Sequence, residues 1–355
     1  MINLFKVRMS KDAGEAVNVV LQSGFIGQGQ KVEIFEDLLQ QKLNTPTRPV
    51  TVNSCTSAID LALDLCGLEV GDEVISTPQT CFATQVGAIH RRAKIRWADI
   101  DPITGLIDPK SVEKLITDKT KAILAVNWAG KLCDYKELKK FGIPVIEDAA
   151  HTWEVHGDIE RGDYVCYSFQ AIKYLTTGDG GAIVCPVEKE QEARILRWYG
   201  LDRTKSESFR CTQNIKRAGY KYHMNDIAAV IGIANIDEAF DSTVKQKANS
   251  KKLIDSINNS NLILPEWDAN CSYWLFSMHV KSDKQKFIDY LAVKGISSSP
   301  VHFRNDLYDS TIKFKEDALP GVDSFSDTQI CIPNGWWLTD SEIDYIIEVL
   351  NLYEG

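Results

Sequence analysis

Short apolar segments alternate with stretches of helical spacing between residues 50 and 185, and this alternation limits the possible folds more than any other feature. The apolar segments lie at residues 50–52, within 71–80, and at 94–99, 121–127 and 142–148. Strands that alternate with helices in this way predict a mainly parallel sheet with helices on both faces. We therefore expect an α/β fold of three layers, with the sheet between two layers of helices.

The pattern changes after Gly219, where the alternation of short strands and helices ends. An apolar helix is expected from about residue 225 to 240, continuing after a bend as a charged helix over 242–258. Further elements are predicted at residues 272–280 (strand), 283–294 (helix), 296–302 and 326–332 (short strands) and 339–351 (helix). We place a domain boundary near residue 240, so that 1–240 form a large domain and 241–355 a smaller α+β domain. The N-terminal segment can pack on the smaller domain.

The charge and the cysteines argue against several classes of protein. Forty basic residues against forty-nine acidic ones give a net charge of −9, which argues against nucleic acid or an anionic membrane as the main partner. The nine cysteines form no C-x-x-C pair, so we expect reduced thiols in a cytoplasmic protein and no metal site. We expect neither a signal peptide nor a transmembrane helix, because the start has no long apolar core and no 18-residue apolar run occurs.

One lysine, Lys173, lies between two apolar strands predicted at residues 164–169 and 182–185, and Ser168 precedes it by five positions. A lysine held there can be partly desolvated, and its amine can then attack a carbonyl carbon. An ordinary exposed loop lysine is the alternative, but three other stretches favour a reactive one.

Those three stretches follow predicted strands, whose carboxyl ends gather ligands in sheets of this kind. The turn at residues 53–57 leads from a strand into a helix, where free backbone N–H groups suit a phosphate; a plain helix N-cap is the alternative. Phe82 places an aromatic ring after the next strand. Asp148 ends a strand in an apolar context, where a carboxylate is costly unless it meets a cation or several donors; a helix N-cap is again the alternative.

These features match the needs of one cofactor, pyridoxal 5′-phosphate. A lysine forms its Schiff base, and a carboxylate keeps the pyridine nitrogen protonated so that the ring accepts electrons. An aromatic side chain stacks on the ring face, and the helix N-terminus receives the phosphate.

The chain resembles the DegT/StrS-type sugar aminotransferases, which belong to the fold-type I superfamily of pyridoxal-phosphate enzymes. The matching segments are NSCTSAIDLAL, GDEVISTPQTCFAT, PVIEDAAH, YSFQAIKYLTTGDGGAIV and GYKYHMNDIAAVIG. They occur in the family's order between residues 24 and 240. The resemblance implies a mixed, mainly parallel sheet and a soluble transaminase.

The resemblance also implies roles for individual residues. Lys173 would be the Schiff-base lysine, Asp148 the partner of the ring nitrogen, and Phe82 the stacking ring. His151 would lie near the phenolic oxygen of the cofactor. The phosphate would be held by Ser54, Cys55 and Thr56, mostly through their backbone, and by the Ser168 hydroxyl.

The sequence departs from the family pattern in one segment, G-x-N-x-R-M, which here reads GYKYHM. Lys221 replaces the asparagine that reaches the cofactor phosphate of the neighbouring subunit, and His223 replaces the arginine. A lysine can still contact a phosphate. We therefore expect a homodimer with shared active sites, in which Lys221 serves the partner.

Three functions remain open at this point. The resemblance favours a transaminase that moves an amino group, with L-glutamate as donor, to a nucleotide-linked keto-sugar for surface polysaccharide or glycan biosynthesis. A keto-sugar phosphate or an aminocyclitol precursor is the alternative substrate, because no motif here reads a nucleotide. A non-catalytic regulatory protein is the third, although Lys173 and Asp148 argue against it. Residues 24–30, 198–199 and 302–304 are candidates for the sugar pocket.

Overall fold

A seven-stranded sheet organises the N-terminal part of the chain in the computed structural model, which describes residues 1–153, 159–204 and 212–355. Its strands are β1 (Val50–Val52), β2 (Glu73–Ser76), β3 (Lys94–Trp97), β4 (Thr120–Val126), β5 (Val145–Asp148), β6 (Tyr164–Ser168) and β7 (Gly181–Val184). They lie in the order β1-β7-β6-β5-β4-β2-β3. Strand β7 runs antiparallel to both of its neighbours, and the other pairs are parallel. The predicted mixed, mainly parallel sheet is therefore confirmed.

Helices cover both faces of this sheet. The helices of this part are α1 (Ala13–Ser23), α2 (Gln30–Leu43), α3 (Cys55–Leu65), α4 (Ala83–His90), α5 (Pro109–Leu115), α6 (Tyr135–Lys139), α7 (Val187–Leu196) and α8 (Asp226–Ser256). In β4, Leu124 packs in the same core as Leu61 of α3, whereas the adjacent Ile123 packs with Val112 of α5 and Leu138 of α6. Successive side chains of a strand point to opposite faces, so the predicted three-layer α/β arrangement is confirmed.

The C-terminal part contains a three-stranded antiparallel sheet in the order β10-β9-β8. Its elements are β8 (Leu262–Ile263), β9 (Phe276–Val280), α9 (Lys284–Val293), α10 (Pro320–Thr328), β10 (Gln329–Ile332) and α11 (Asp340–Asn351). A separate apolar core joins Phe276, Phe287 and Ile346, and Ile2 packs against it. The Ile2 N–H donates to the carbonyl of Gly295 at 2.7 Å, so the start of the chain lies along this part.

Several boundaries differ from the sequence-based expectations. Helix α8 is continuous over 31 residues, without the expected division into two helices. The strand expected at 272–280 begins only at Phe276, and residues 296–302 form isolated bridges rather than a strand. The domain boundary near residue 240 stays a proposal, and that position lies within α8. Ile236 of α8 packs in the core that contains Leu124, whereas Leu253 packs in the C-terminal core.

None of the helices in the described part of the chain is long and apolar enough to span a membrane.

Candidate active site

A cavity of about 440 Å³ lies at the carboxyl ends of β5 and β6. Small-molecule sites commonly have volumes of about 300–1,000 Å³, so a cofactor can be accommodated. Most of the residues that the sequence analysis selected line it, namely Ser54, Cys55, Thr56, Asp148, His151, Ser168 and Lys173. The fold thus brings together residues from three separate stretches of the sequence.

Lys173 lies in the loop that joins β6 to β7, and it lines the cavity. Burial lowers the pKa of its ammonium group to about 8, although the nearby Asp148 carboxylate opposes this effect. A lysine with such a pKa holds a substantial fraction of neutral amine near pH 8, and the neutral amine is the nucleophile. This environment fits a lysine that bonds to a carbonyl carbon.

Asp148 is the last residue of β5, and its carboxylate is buried. The Thr84 hydroxyl donates to Oδ2 at 2.8 Å, the Ala150 N–H donates to Oδ1 at 3.0 Å, and the Cys55 thiol lies 4.0 Å from Oδ1. Burial raises the pKa of Asp148, while the bonds from Thr84 and Ala150 act in the opposite direction. Because these partners are uncharged, a cation in the cavity would stabilise the carboxylate.

The turn before α3 forms one end of the cavity. The Ser54 hydroxyl accepts the Ser57 N–H at 3.1 Å and caps the helix, so the N-cap alternative holds for this side chain. Gly181 approaches the turn closely, since a Cβ atom at that position would lie 2.6 Å from the nitrogen of Cys55. The adjacent residues Thr56 and Ser168 line the cavity. A backbone cradle at a helix N-terminus suits an anionic group.

Two histidines and one tryptophan form another part of the wall. His151 is buried, and its ring stacks on Trp274 with centroids 4.1 Å apart and an interplanar angle of 25°. Burial lowers the pKa of His151 well below its usual value, and Lys173 and His302 lower it further. Burial and Lys173 also lower the pKa of His302, to about 4. Both imidazoles are therefore neutral near pH 7, and the buried Nδ1 of His151 and Nε2 of His302 have no hydrogen-bond partner among the described residues.

Two of the selected residues do not line the cavity of their own chain. The Phe82 ring packs edge-on against Tyr308, with centroids 5.3 Å apart, although the adjacent Cys81 and Ala83 do line the cavity. Lys221 is exposed, and its carbonyl accepts the Asn53 side-chain amide at 3.4 Å. The position of Phe82 gives no support to a stacking role, and the roles of both residues stay predictions.

The donor set of the cavity fits pyridoxal 5′-phosphate. The hydrogen bonds to the buried Asp148 carboxylate come from the uncharged groups of Thr84 and Ala150, and a protonated pyridine nitrogen would add a charged donor. The Nδ1 of His151 has no hydrogen-bond partner among the described residues and can bond a polar atom of the cofactor. The N-terminus of α3, which packs closely against Gly181, suits the phosphate.

Sequence reasoning missed Trp274 and Phe5, which also line the cavity. Neither residue belongs to a motif, and each reaches the site from a distant part of the chain. A tryptophan within a predicted strand, as Trp274 is, is ordinarily interpreted as a core residue.

The profile of the DegT/DnrJ/EryC1/StrS aminotransferase family matches residues 7–351. AtS13 from Actinomadura melliaura has a crystal structure with 32% identity and a TM-score of 0.91, over 99% of this chain and 98% of that one. The sugar aminotransferase CalS13 from Micromonospora echinospora is 30% identical, with a TM-score of 0.90 over 99% of both chains.

A curated relative comes from Bacillus subtilis. The spore coat polysaccharide biosynthesis protein SpsC is 27% identical over 96% of this chain and 94% of its own length. The family match covers nearly the whole sequence and includes every residue that lines the cavity except Phe5. The chain therefore belongs to the DegT/DnrJ/EryC1/StrS family of sugar aminotransferases, and it is a transaminase that depends on pyridoxal 5′-phosphate.

Proposed function

We propose that this enzyme transfers an amino group from L-glutamate to a nucleotide-linked keto-sugar during the biosynthesis of a surface polysaccharide or glycan. The observation that carries the proposal is the cavity in which Lys173 and Asp148 meet beside a helix N-terminus. The names of CalS13, a sugar aminotransferase, and SpsC, a spore coat polysaccharide protein, support the sugar class.

Lys173 is proposed to bond to the cofactor and to move the proton of the reaction. Pyridoxal 5′-phosphate, when bound, supplies the carbonyl that takes up the amino group and the ring that accepts electrons. When Lys173 is not bonded to the cofactor, its Nζ accepts a proton from the substrate carbon and donates it to the adjacent carbon of the cofactor. Its lowered pKa supports this exchange near neutral pH.

The other cavity residues are proposed to hold and orient the cofactor. Asp148 keeps the ring nitrogen protonated, and Thr84 fixes the carboxylate through its 2.8 Å hydrogen bond. The backbone of residues 54–56 and the Ser168 hydroxyl hold the phosphate, while His151 lies near the phenolic oxygen.

Incubation with a panel of sugar amines tests the substrate class, because transamination is reversible. The purified enzyme is incubated with nucleotide-linked amino-sugars, amino-sugar phosphates and aminocyclitols, and the covalent cofactor adducts are trapped by reduction and identified by mass spectrometry. Adducts with nucleotide-linked sugars only support the proposal. Adducts confined to a sugar phosphate or an aminocyclitol establish the alternative substrate. Transfer of ¹⁵N from labelled glutamate to the keto-sugar tests the donor.

We further propose a homodimer in which each subunit completes the site of its partner. Apolar side chains are exposed along α1 and the loop after it, including Val19 (55%), Leu21 (51%) and Phe25 (82%). An exposed apolar patch of this kind suits a protein interface. Lys221 is exposed outside its own cavity, which agrees with a contact to the partner's cofactor phosphate.

We propose a cytoplasmic location. The eight cysteines within the described residues are all free thiols, as is usual in a reducing compartment.

A further inference from the structure

The segment Ser272–Leu275 contacts the loop of Lys173 from both sides. The Tyr174 hydroxyl donates a short hydrogen bond to the carbonyl of Ser272. The indole Nε1–H of Trp274 donates to the carbonyl of Ile172 at 3.2 Å. The residues immediately before and after Lys173 are therefore both bonded to one segment from the C-terminal part of the chain.

This segment is itself held in a strained conformation by buried amides. Tyr273 has a φ of 53°, in the left-handed region that non-glycine residues rarely adopt. Gln246 on α8 donates to the carbonyls of Tyr273 and Trp274, both at 3.0 Å, and Asn334 donates to the Tyr273 carbonyl at 2.8 Å. Because these bonds fix the backbone on both sides of Trp274, its ring has a defined position.

The ring of Trp274 contacts the reactive amine directly. The Nζ atom of Lys173 lies 3.5 Å from the centroid of the ring, and Trp274 is only 5% exposed. A cation over an indole face is attracted by the ring's quadrupole, most strongly where water is excluded. The rings of His151 and Phe5 stack on the same indole, with centroid distances of 4.1 and 5.3 Å, and these contacts restrict its movement.

We propose that Trp274 is a positioning residue that holds the amine of Lys173 in the cavity whenever it is not bonded to the cofactor, and stabilises its protonated form. The proposal rests on Lys173 being the cofactor lysine. Burial favours the neutral amine because it removes the water that would solvate the charge, and the indole face opposes this effect. With these two effects opposed, the amine of Lys173 can both accept and release a proton.

The test measures the protonation of Lys173 in the full-length protein after the cofactor has been removed. Trace labelling with acetic anhydride across a pH series, followed by mass spectrometry of the Lys173 peptide, gives the midpoint of its reactivity. Trp274→Leu removes the ring face, and Trp274→Phe keeps a smaller and weaker one. Tyr290→Leu is the control, since it removes a ring that lies under the amine of Lys294 at 5.8 Å and away from the cavity. Each variant is first shown to rebind the cofactor.

We expect Trp274→Leu to lower the midpoint by about one pH unit, because a desolvated cation–π contact is worth about one to two kcal/mol. Trp274→Phe should lower it by less, and Tyr290→Leu should leave it unchanged. The proposal is overturned if neither Trp274 variant lowers the midpoint, or if Tyr290→Leu lowers it equally. If Trp274→Leu does not fold, Trp274→Phe decides alone.

The labelling result is independent of the choice of cofactor lysine. Borohydride reduction of the loaded wild-type enzyme, followed by peptide mapping, identifies that lysine separately. A failure of the proposed role of Lys173 and a failure of the Trp274 proposal can therefore be distinguished.

Discussion

Lys173 has two properties that a covalent bond to a cofactor requires. The residues on either side of it are hydrogen-bonded to the segment Ser272–Leu275, so the loop is fixed and the amine is directed into the cavity. Its pKa of about 8 leaves part of the amine neutral at physiological pH. A surface lysine would have neither property, because it is mobile and stays protonated.

Replacing Lys173 by alanine should therefore abolish the covalent bond and the proton transfer together. We expect multiple turnover to fall by several orders of magnitude, since one residue performs both roles. Borohydride should attach the cofactor to Lys173 in the wild type and leave the variant unlabelled. Lys189→Ala, a change on α7 away from the cavity, is the control and should retain full labelling. A reduced adduct on another lysine would show that the assignment is wrong.

Asp148→Asn keeps the shape of the side chain but removes its charge. The ring nitrogen should then lose its proton. We expect kcat to fall by about two orders of magnitude or more, which corresponds to a rise of several kcal/mol in the activation free energy. The measurement is kcat at saturating substrate, with cofactor occupancy checked by absorbance. Asp163→Asn is the matched control, because Asp163 bonds the Val145 N–H at the opposite end of β5. Near-normal turnover with bound cofactor would contradict the proposed role of Asp148.

At the scale of elements, the strands and helices around the site follow from local sequence patterns. Ser54 precedes α3 in a strand–helix turn and caps it as its position predicts. The end of β5 at Asp148 could be predicted because the apolar run at residues 143–146 ends in two carboxylates, Glu147 and Asp148. By contrast, the two-residue strand β8 pairs only through distant residues of β9, and no local pattern indicates such a strand. The expected bend that would divide α8 into two helices is also absent, since α8 is one helix over Asp226–Ser256.

Helix α2, strand β1 and helix α7 are joined through one buried carboxylate, Glu36. It accepts the Thr51 N–H at 3.0 Å and bonds from Arg197 and Arg194, both at 2.6 Å. Burial alone would raise the pKa of Glu36, but the two arginines outweigh burial and lower it to about 2. The folded-state pKa thus lies below the unfolded value of 4.5, so the charge of Glu36 stabilises the fold above pH 4.5. That contribution is lost as the pH falls towards 2.

Glu36→Gln should lower the free energy of unfolding at pH 7 by about 3–5 kcal/mol, because it leaves the buried Arg197 and the half-buried Arg194 without this carboxylate. The loss of stability between pH 5 and pH 3 should also be smaller than in the wild type. Urea unfolding of the cofactor-free protein at both pH values measures these effects. Glu33→Gln, an exposed position one turn earlier on the same helix, should be nearly neutral. An equal pH dependence in Glu36→Gln and wild type would exclude Glu36 as the titrating group.

At the scale of the whole molecule, the site combines segments that are distant in sequence. Phe5 comes from the first residues, Trp274 from the start of the C-terminal part and His302 from a later loop, and all three line one cavity. Phe5 and Trp274 meet because both pack in the core that contains Leu124. No single motif encodes this packing. The motif residues Lys173 and Asp148 could be predicted because their chemistry demands a specific residue type. A packing position such as that of Phe5 can be filled by several apolar residue types, so the sequence does not single it out.

The assembly of two subunits can be tested through Lys221. Lys173→Ala and Lys221→Ala subunits, each expected to be inactive as a homodimer, are unfolded and refolded together. If Lys221 serves the partner's cavity, a mixed dimer has one site with both defects and one site with neither. Random pairing makes about half of the dimers mixed, so activity should recover to roughly a quarter of the wild-type value.

The alternative outcomes of this mixing experiment separate two structural arrangements. If Lys221 acts within its own chain, every site keeps one defect and no activity returns. If Lys221→Ala is active by itself, the helix N-terminus at residues 54–56 and Ser168 hold the phosphate without it. Refolded wild-type protein mixed with Lys173→Ala gives the reference, since its activity must follow the fraction of intact sites. Because Lys221 is exposed and outside its own cavity, we expect recovery, as the proposed contact of Lys221 with the partner's cofactor phosphate requires.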